Sequence, residues 1–326
     1  MKDDPQFISA LAPYLTDYLR FKAKLGYTNE AQFYMARELD HYLLFFAVPN
    51  IQKFAESRIY HWMHAIRSHS AATKNHRLSF ARCFLNYLLH RGVITDNPAL
   101  RIPFLKKRPF KPYIYTLQDI HRLLQEALRL PCPFGRTLYT VLFLLYACGL
   151  RLSEAQNLKI QDVDFEENTL ALWQTKFHKE RLVPFSPATA KKLQGYLAFR
   201  RATYSPAEPQ DPFFCSPRGR RIPRPTIEHW FGAIRRRAGL SNPGGEPPRM
   251  HDLRHSFAVH RLYKWYQEGY NPLNKLPVLS TYMGHVQIEN TQVYLTIAQA
   301  LLREGDRRFQ ASFEDATASA LRRAFK

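Results

Sequence analysis

Acidic side chains are scarce in this chain: 27 Asp and Glu stand against 47 Lys and Arg, a formal charge of +20 over 326 residues. An excess of that size wants a polyanion as partner. Cysteine is just as sparse. The four at 83, 132, 148 and 215 are scattered without paired ligand spacing, which excludes a disulfide framework or a zinc finger and suits a reducing cytoplasm. Long hydrophobic runs are missing too. The most apolar one, TLYTVLFLLYACGL at 137–150, is too short to span a bilayer and reads as a buried core helix. The start MKDDPQ is acidic and leads into no apolar signal core, so neither secretion nor a membrane partner is expected. Carboxylates gather at no common point, which speaks against a metal-dependent nuclease.

What is present argues for ordinary folding. Hydrophobic residues make up 45% and aromatics 14%, and the length exceeds what one core usually organises. Two domains are expected, with basic residues in both. From Pro13 to about Gly92 apolar residues recur at three and four, predicting a four-helix bundle over 1–105. Lys22, Lys24, Lys74, Arg77 and Arg82 are read there as exposed and able to track a phosphate backbone, against the plain alternative of a solvated helix face. The stretch 97–117 is proline-rich, basic and without sustained period. The domain boundary falls in it, with 106–115 as a linker whose Lys106, Lys107 and Arg108 could cross a duplex.

A second domain over 116–326 opens with Thr116 as helix cap and a glutamine close behind. After the apolar helix, Ser153 is placed to cap a new helix with Arg151 just outside it. Strands are expected at 162–165, 169–174 and 181–185, with Lys176 in the tip between the last two. The predicted class is mainly α with a small antiparallel β-sheet. In MHDLRHSFAVH, His251 and Arg254 share a helix face, Ala258 leaves them room, and His255 follows His251 by four. Near the end, Gly284 and His285 precede Tyr294 by about nine residues. One unbroken helix would put His285 and Tyr294 on opposite faces. A break is therefore expected: Gly284 left-handed, and Asn290 or Thr291 capping a following helix. The tail beyond is amphipathic and long enough to pack on another subunit.

Arg151, Lys176, His251, Arg254, His285 and Tyr294 make a coherent chemistry. Two arginines grip a phosphodiester in fork geometry and stabilise the extra charge of its transition state. Histidines complete the cage or move protons. A phenol, with a reference pKa near ~10, attacks only beside strong positive charge or a base. Lys176 is a reasonable general acid for a leaving sugar hydroxyl.

In these boxes the second domain resembles the tyrosine recombinases, the phage integrase family, over about 112–300. The family's first arginine box appears as CGLRLSEAQNL, giving Arg151 and the supporting Glu154. Its hairpin lysine falls on Lys176 in TKFHKERLVPF. HDLRHSFA gives His251 and Arg254, MGH gives Gly284 and His285, and NTQVYL gives the nucleophile Tyr294. The segment between Arg254 and His285 is longer than in compact members and looks like the transposon-associated branch. The resemblance implies a C-shaped clamp on double-stranded DNA with an N-terminal core-binding bundle. It implies cleavage to a 3′-phosphotyrosine and religation without metal or nucleotide. It further implies a homo-oligomer on DNA, normally a tetrameric synapse, with room for other recombinases or accessory proteins.

Each residue alone has a bland reading. Arg151 could satisfy helix carbonyls, Lys176 could be solvated, and Tyr294 could be core. His61 and His64 read as structural. His251 and His255 are spaced like a zinc pair but lack HExxH or nearby cysteines, and His255 reads as a residue supporting the site from behind or packing. The ordered occurrence of the boxes makes the joint reading; length favours a site-specific recombinase over a type IB topoisomerase, and the intact set of site residues argues against a catalytically silent DNA-binding partner.

Overall fold

The computed structural model describes residues 7–27, 30–65, 70–106, 112–173, 180–204, 208–243, 245–285 and 291–297. The chain divides into two compact units, Met1–Phe110 and Lys111–Lys326.

Unit 1 is built on four helices: α1 (Ala12–Lys24), α2 (Glu30–Phe45), α3 (Glu56–His64) and α4 (Ala71–His90). Their apolar stripes meet in one core, where Leu15, Leu39, Ile59, Trp62, Leu78 and Phe84 are nearly inaccessible. Each such side chain contributes roughly 1.5–3 kcal/mol by leaving water. Ser70 caps α4 by accepting from the Thr73 N–H at 3.2 Å. His61 is structural, with Nδ1 2.9 Å from the Tyr42 hydroxyl, and His64 stacks on Tyr60.

Two expectations about this unit need correcting. Arg77 is buried, not exposed: its side chain makes a two-pronged pair with Glu38 at 3.1 and 3.2 Å and donates to the Trp62 carbonyl at 3.0 Å. A guanidinium so engaged has a packing role. Arg82 is half-buried and donates to the Ala99 and Ile102 carbonyls while lying over the Phe104 ring. Asn75 also exchanges two hydrogen bonds with the Leu105 backbone, at 2.8 and 2.9 Å, so the chain is tied to the bundle up to the start of the expected 106–115 linker. Lys22 lies over the Tyr27 ring, Lys24 and Lys106 are exposed, and Lys74 is half-buried. Lys107 and Arg108 lie outside the described residues.

Unit 2 is organised around α6 (Phe134–Ala147), which is buried nearly all round through Leu138, Val141, Leu142, Leu144 and Leu145. Helices α5 (Leu117–Leu128), α8 (Pro187–Thr203) and α10 (Met250–Gln267) pack against it. Thr116 caps α5 as expected, but the reciprocal partner is Asp119 rather than the neighbouring glutamine: Asp119 takes the Thr116 N–H at 3.0 Å. After the short α7 (Leu152–Asn157) comes a three-stranded antiparallel sheet in the order β1 (Val163–Asp164), β2 (Thr169–Leu172), β3 (Arg181–Pro184). Leu170 pairs with Val163 on one side and Val183 on the other, which puts the three on the core face. The strands are shorter than the alternation suggested, and Lys176 lies outside the described residues. Then follow α9 (Arg224–Arg237), α10 and α11 (Pro272–Met283). Residues 291–297 form a last helical turn pair, α12. The tail beyond 297 lies outside the described residues. Among the described residues no helix is long and apolar enough to cross a membrane.

Candidate active site

The site is assembled at two chain reversals of unit 2 and on strand β3. The first follows α6, where Gly149 turns left-handed at φ 60°. A Cβ on Gly149 would stand 2.5 Å from the Phe257 ring, so only glycine lets this turn close onto α10. That contact brings the Gly149 carbonyl to Arg254, whose Nη1 donates to it. Arg151 comes next and is itself the residue before α7; Ser153, expected as the cap, lies inside the first helical turn. Glu154 supplies the capping acceptor instead, taking the Arg151 N–H at 2.8 Å and its Nη1 at 2.6 Å.

The second reversal ends α11. Gly284 adopts φ 65°, His285 N–H bonds back to the Ser280 carbonyl and Gly284 N–H to Thr281, both at 3.0 Å, which is a Schellman closure. This is the break that the spacing required. It turns the Gly284 carbonyl toward Arg151, which donates from Nη2 at 2.9 Å, while Arg254 Nη2 donates to the Met283 carbonyl. Two arginines are thereby fixed by backbone carbonyls from two separate segments, the turn after α6 and the end of α11.

The third contribution is β3. Arg181 donates both Nη groups to the Glu154 carboxylate at 2.9 Å and its Nε to the Tyr282 carbonyl at 3.0 Å. Reading of the sequence passed over Arg181. A signal existed: in RLVP an apolar residue, Leu182, faces outward and an arginine inward, the reverse of what a core strand would choose. Glu154 thus lies under three guanidiniums, those of Arg151, Arg181 and, at 3.9 Å, Arg254. Burial alone would raise its pKa, but Arg181 first and then Arg151 and Arg254 outweigh that and hold it at about 2. Burial and the nearby Arg151 push the Arg254 guanidinium down to about 9, leaving it charged at neutral pH.

Histidines and the phenol close the cage. His251, Arg254 and His255 share one face of α10, with Ala258 fully buried a turn on. His255 Nδ1 is 2.8 Å from the Tyr294 hydroxyl, and the His285 ring stacks on Tyr294 with centroids 6.2 Å apart. Of the two roles expected for His255, this contact fits support of the site rather than packing alone. Thr291, in the described part of α12, holds His285 Nδ1 at 2.7 Å with its hydroxyl. Burial, then surrounding positive charge, depresses all three histidines: His251 and His255 to about 4 and His285 to about 3. His251 keeps a solvent-exposed surface, so its depression is the one most open to screening. Tyr294 is 2% exposed; burial raises its pKa while Arg254 and Arg151 pull it down.

The cage adjoins a cleft of about 570 Å³ lined by Arg151, Arg224, Arg235, Arg249 and His251, a mouth suited to an anionic backbone. Among the described residues no cluster of His, Cys, Asp and Glu could hold a metal ion. Of the residues singled out in the sequence, Arg151, Glu154, His251, Arg254, Gly284, His285 and Tyr294 come together here.

Residues 115–300 match the profile of the Phage integrase family. The chain is 37% identical over 301 residues to "Putative integrase/recombinase y4rB" of Sinorhizobium fredii, covering 90% of this chain and 91% of that protein. It is 32% identical to the tyrosine recombinase XerD of Pseudomonas aeruginosa over 227 residues, 70% of this chain and 72% of that one. In fold it resembles lambda integrase, solved as a tetramer bound to a Holliday junction, with a TM-score of 0.66 at 17% identity over 87% of this chain and 76% of the other. With the family profile spanning more than half of its length and a relative matched nearly end to end, this chain belongs to the phage integrase family and is a tyrosine recombinase acting on DNA.

Proposed function

We propose that Tyr294 is the nucleophile of strand exchange and that Arg151 and Arg254 hold the scissile phosphate. The observation that carries this reading is a phenol buried against two histidines and within the field of Arg151 and Arg254. Each of these arginines engages two protein acceptors and keeps further N–H groups, from a guanidinium's five, for phosphate oxygens. The backbone bonds hold both in place before DNA arrives, so little reorganisation accompanies charge development in the transition state. Tyr294 Oη attacks phosphorus, the 5′-oxygen leaves with a proton from Lys176, and a 3′-phosphotyrosine keeps the bond energy. A 5′-hydroxyl from the partner strand then displaces the tyrosine. His251 and His285 complete the donors around the non-bridging oxygens. Glu154 and Gly284 support the cage, the first by anchoring its arginines and the second by turning a carbonyl onto Arg151.

Unit 1, with Lys22, Lys24, Lys74 and Lys106, serves as a second DNA-binding element, and the working form is a homo-oligomer on paired sites. Lambda integrase, solved as a dimer on a core site and as a tetramer on a Holliday junction, supports this assembly.

The test is covalent capture on nicked duplexes tiled across the DNA flanking the coding sequence. The wild type captures one of them and Tyr294→Phe binds DNA without capture; an adduct formed by the mutant sinks the assignment. Binding weakens steeply with salt as phosphate contacts release counterions.

A further inference from the structure

We infer that His255 is the general base of the reaction: its Nδ1 takes the phenolic proton as Tyr294 attacks. The inference rests on the reading that Tyr294 is the nucleophile and adds the group that activates it.

Geometry carries the assignment. Among the described residues His255 is the group hydrogen-bonded to the Tyr294 hydroxyl, at 2.8 Å, inside the range a proton transfer needs. His251, on the same face of α10, meets His255 instead, with ring centroids 4.6 Å apart at 89°. His285 faces Tyr294 by its ring, stacked at 28°, and its Nδ1 is taken by Thr291. A stacked ring offers no lone pair to the phenol. His255 does, in the tautomer that carries its proton on Nε2.

The surroundings keep that lone pair available. The charged and titratable groups facing His255 are Arg249, His251 and Arg254 from α10, His285 from the α11 bend and Tyr294 from α12. Burial first, and then the arginine neighbours, disfavour the imidazolium, so the ring rests neutral and ready to accept. A carboxylate in this position would be captured by the guanidiniums, as Glu154 is. An arriving phosphate brings negative charge beside the ring and stabilises the imidazolium at the step that forms it. In that step the Tyr294 O–H bond breaks as N–H forms on Nδ1. The Oη–P bond forms as the P–O5′ bond breaks, and the leaving oxygen receives its separate proton. Religation returns the His255 proton to Tyr294.

The experiment measures single-turnover covalent capture on the same tiled nicked duplexes, beside DNA binding. His255→Ala is expected to bind DNA normally and to capture about 10²-fold more slowly or worse. Added imidazole restores its rate in proportion to the free-base form, and does not restore His251→Ala. His255→Asn places an oxygen acceptor near the Nδ1 position but cannot carry the proton, so it stays slow. Capture by His255→Asn at the wild-type rate would reduce the bond to positioning and overturn the proposal. So would a folded, DNA-binding His255→Ala that is not slowed or that imidazole fails to restore. If His255→Ala does not fold, the Asn variant decides alone. Absence of any adduct from the wild type would overturn the Tyr294 reading itself, an outcome distinct from the others.

Discussion

The Arg181 guanidinium fills the space into which a side chain on Gly284 would project: a Cβ there would lie 2.8 Å from its Nη1 and 3.1 Å from its Cζ. Arg181 is bonded at once to Glu154 and to the Tyr282 carbonyl, so it ties strand β3 to the bend that carries His285. Gly284→Ala therefore meets two costs, a left-handed backbone and a displaced guanidinium. The first costs roughly 1–2 kcal/mol. The second is read in activity: covalent capture is expected to fall by more than tenfold in protein that thermal melting shows still folded. Full capture by a folded Gly284→Ala would show that the bend tolerates the shift.

Removing Arg181 itself leaves Glu154 buried with fewer cations around it. Breaking a buried pair from one side costs about 3–5 kcal/mol. Arg181→Ala is expected to lose stability of that order in denaturant unfolding. Arg181→Lys, which cannot bridge both carboxylate oxygens and Tyr282 together, recovers only part of it.

Acid should unfold unit 2 in two stages, with signs that follow from the direction of each shift. His255 and His285 are depressed below the ordinary histidine value near ~6.5. The unfolded chain then binds more protons as pH falls below that value, so their contribution is present above it and is lost on the way down. Each adds up to about 1.4 kcal/mol per pH unit while only the unfolded state is protonated. Glu154 is also depressed, to about 2, so its contribution is present above the ordinary glutamate range and disappears as pH falls toward that value. Tm measured from pH 7 downward should decline first below about 6.5, and His255→Asn should flatten that first decline. A Tm constant between pH 7 and 5 would contradict the neutral-histidine cage.

In unit 1 the prediction separates packing from DNA contact. Arg77→Ala, deprived of its buried pair with Glu38, should destabilise the bundle by about 3–5 kcal/mol. Lys24→Ala should leave stability within about 0.5 kcal/mol, because Lys24 is exposed. If Lys24 contacts phosphate, its loss also lowers the salt slope of DNA binding by about one. A folded Arg77→Ala with unchanged melting would return that residue to the surface role.

For Lys176 the measurement is chemical. Lys176→Ala should slow cleavage of an ordinary 5′-oxygen far more, by about 10²-fold, than cleavage of a 5′-phosphorothiolate, whose leaving group needs no proton. Equal slowing of both would count against a general acid.

The helical periods, the apolar run that became α6, the break at Gly284 and the ordered boxes were legible in sequence because each is local or periodic. A left-handed glycine and a 3.6-residue face need no knowledge of what lies opposite. Burial of Arg77 was not legible, since a basic residue on a helix looks the same whether Glu38 or water faces it. Arg181 was not singled out, and His255 could not be told from a packing residue, for a related reason: their partners, Glu154, Tyr282 and Tyr294, lie tens of residues away. Likewise Asp119 displaced the expected glutamine in the α5 cap by presenting a carboxylate to the Thr116 N–H.

Sequence alone determined which side chains this recombinase offers for the proposed grip on a phosphate and attack on it, because a chemistry needs particular functional groups in a particular order along its elements. Tertiary structure decided how they are fixed: two reversals of the chain bring the Gly149, Met283 and Gly284 carbonyls onto Arg254 and Arg151, and packing sets His255 against Tyr294. Hydrogen bonds depend on distances of a fraction of an ångström between segments far apart in the chain, and only packing of the core sets those distances.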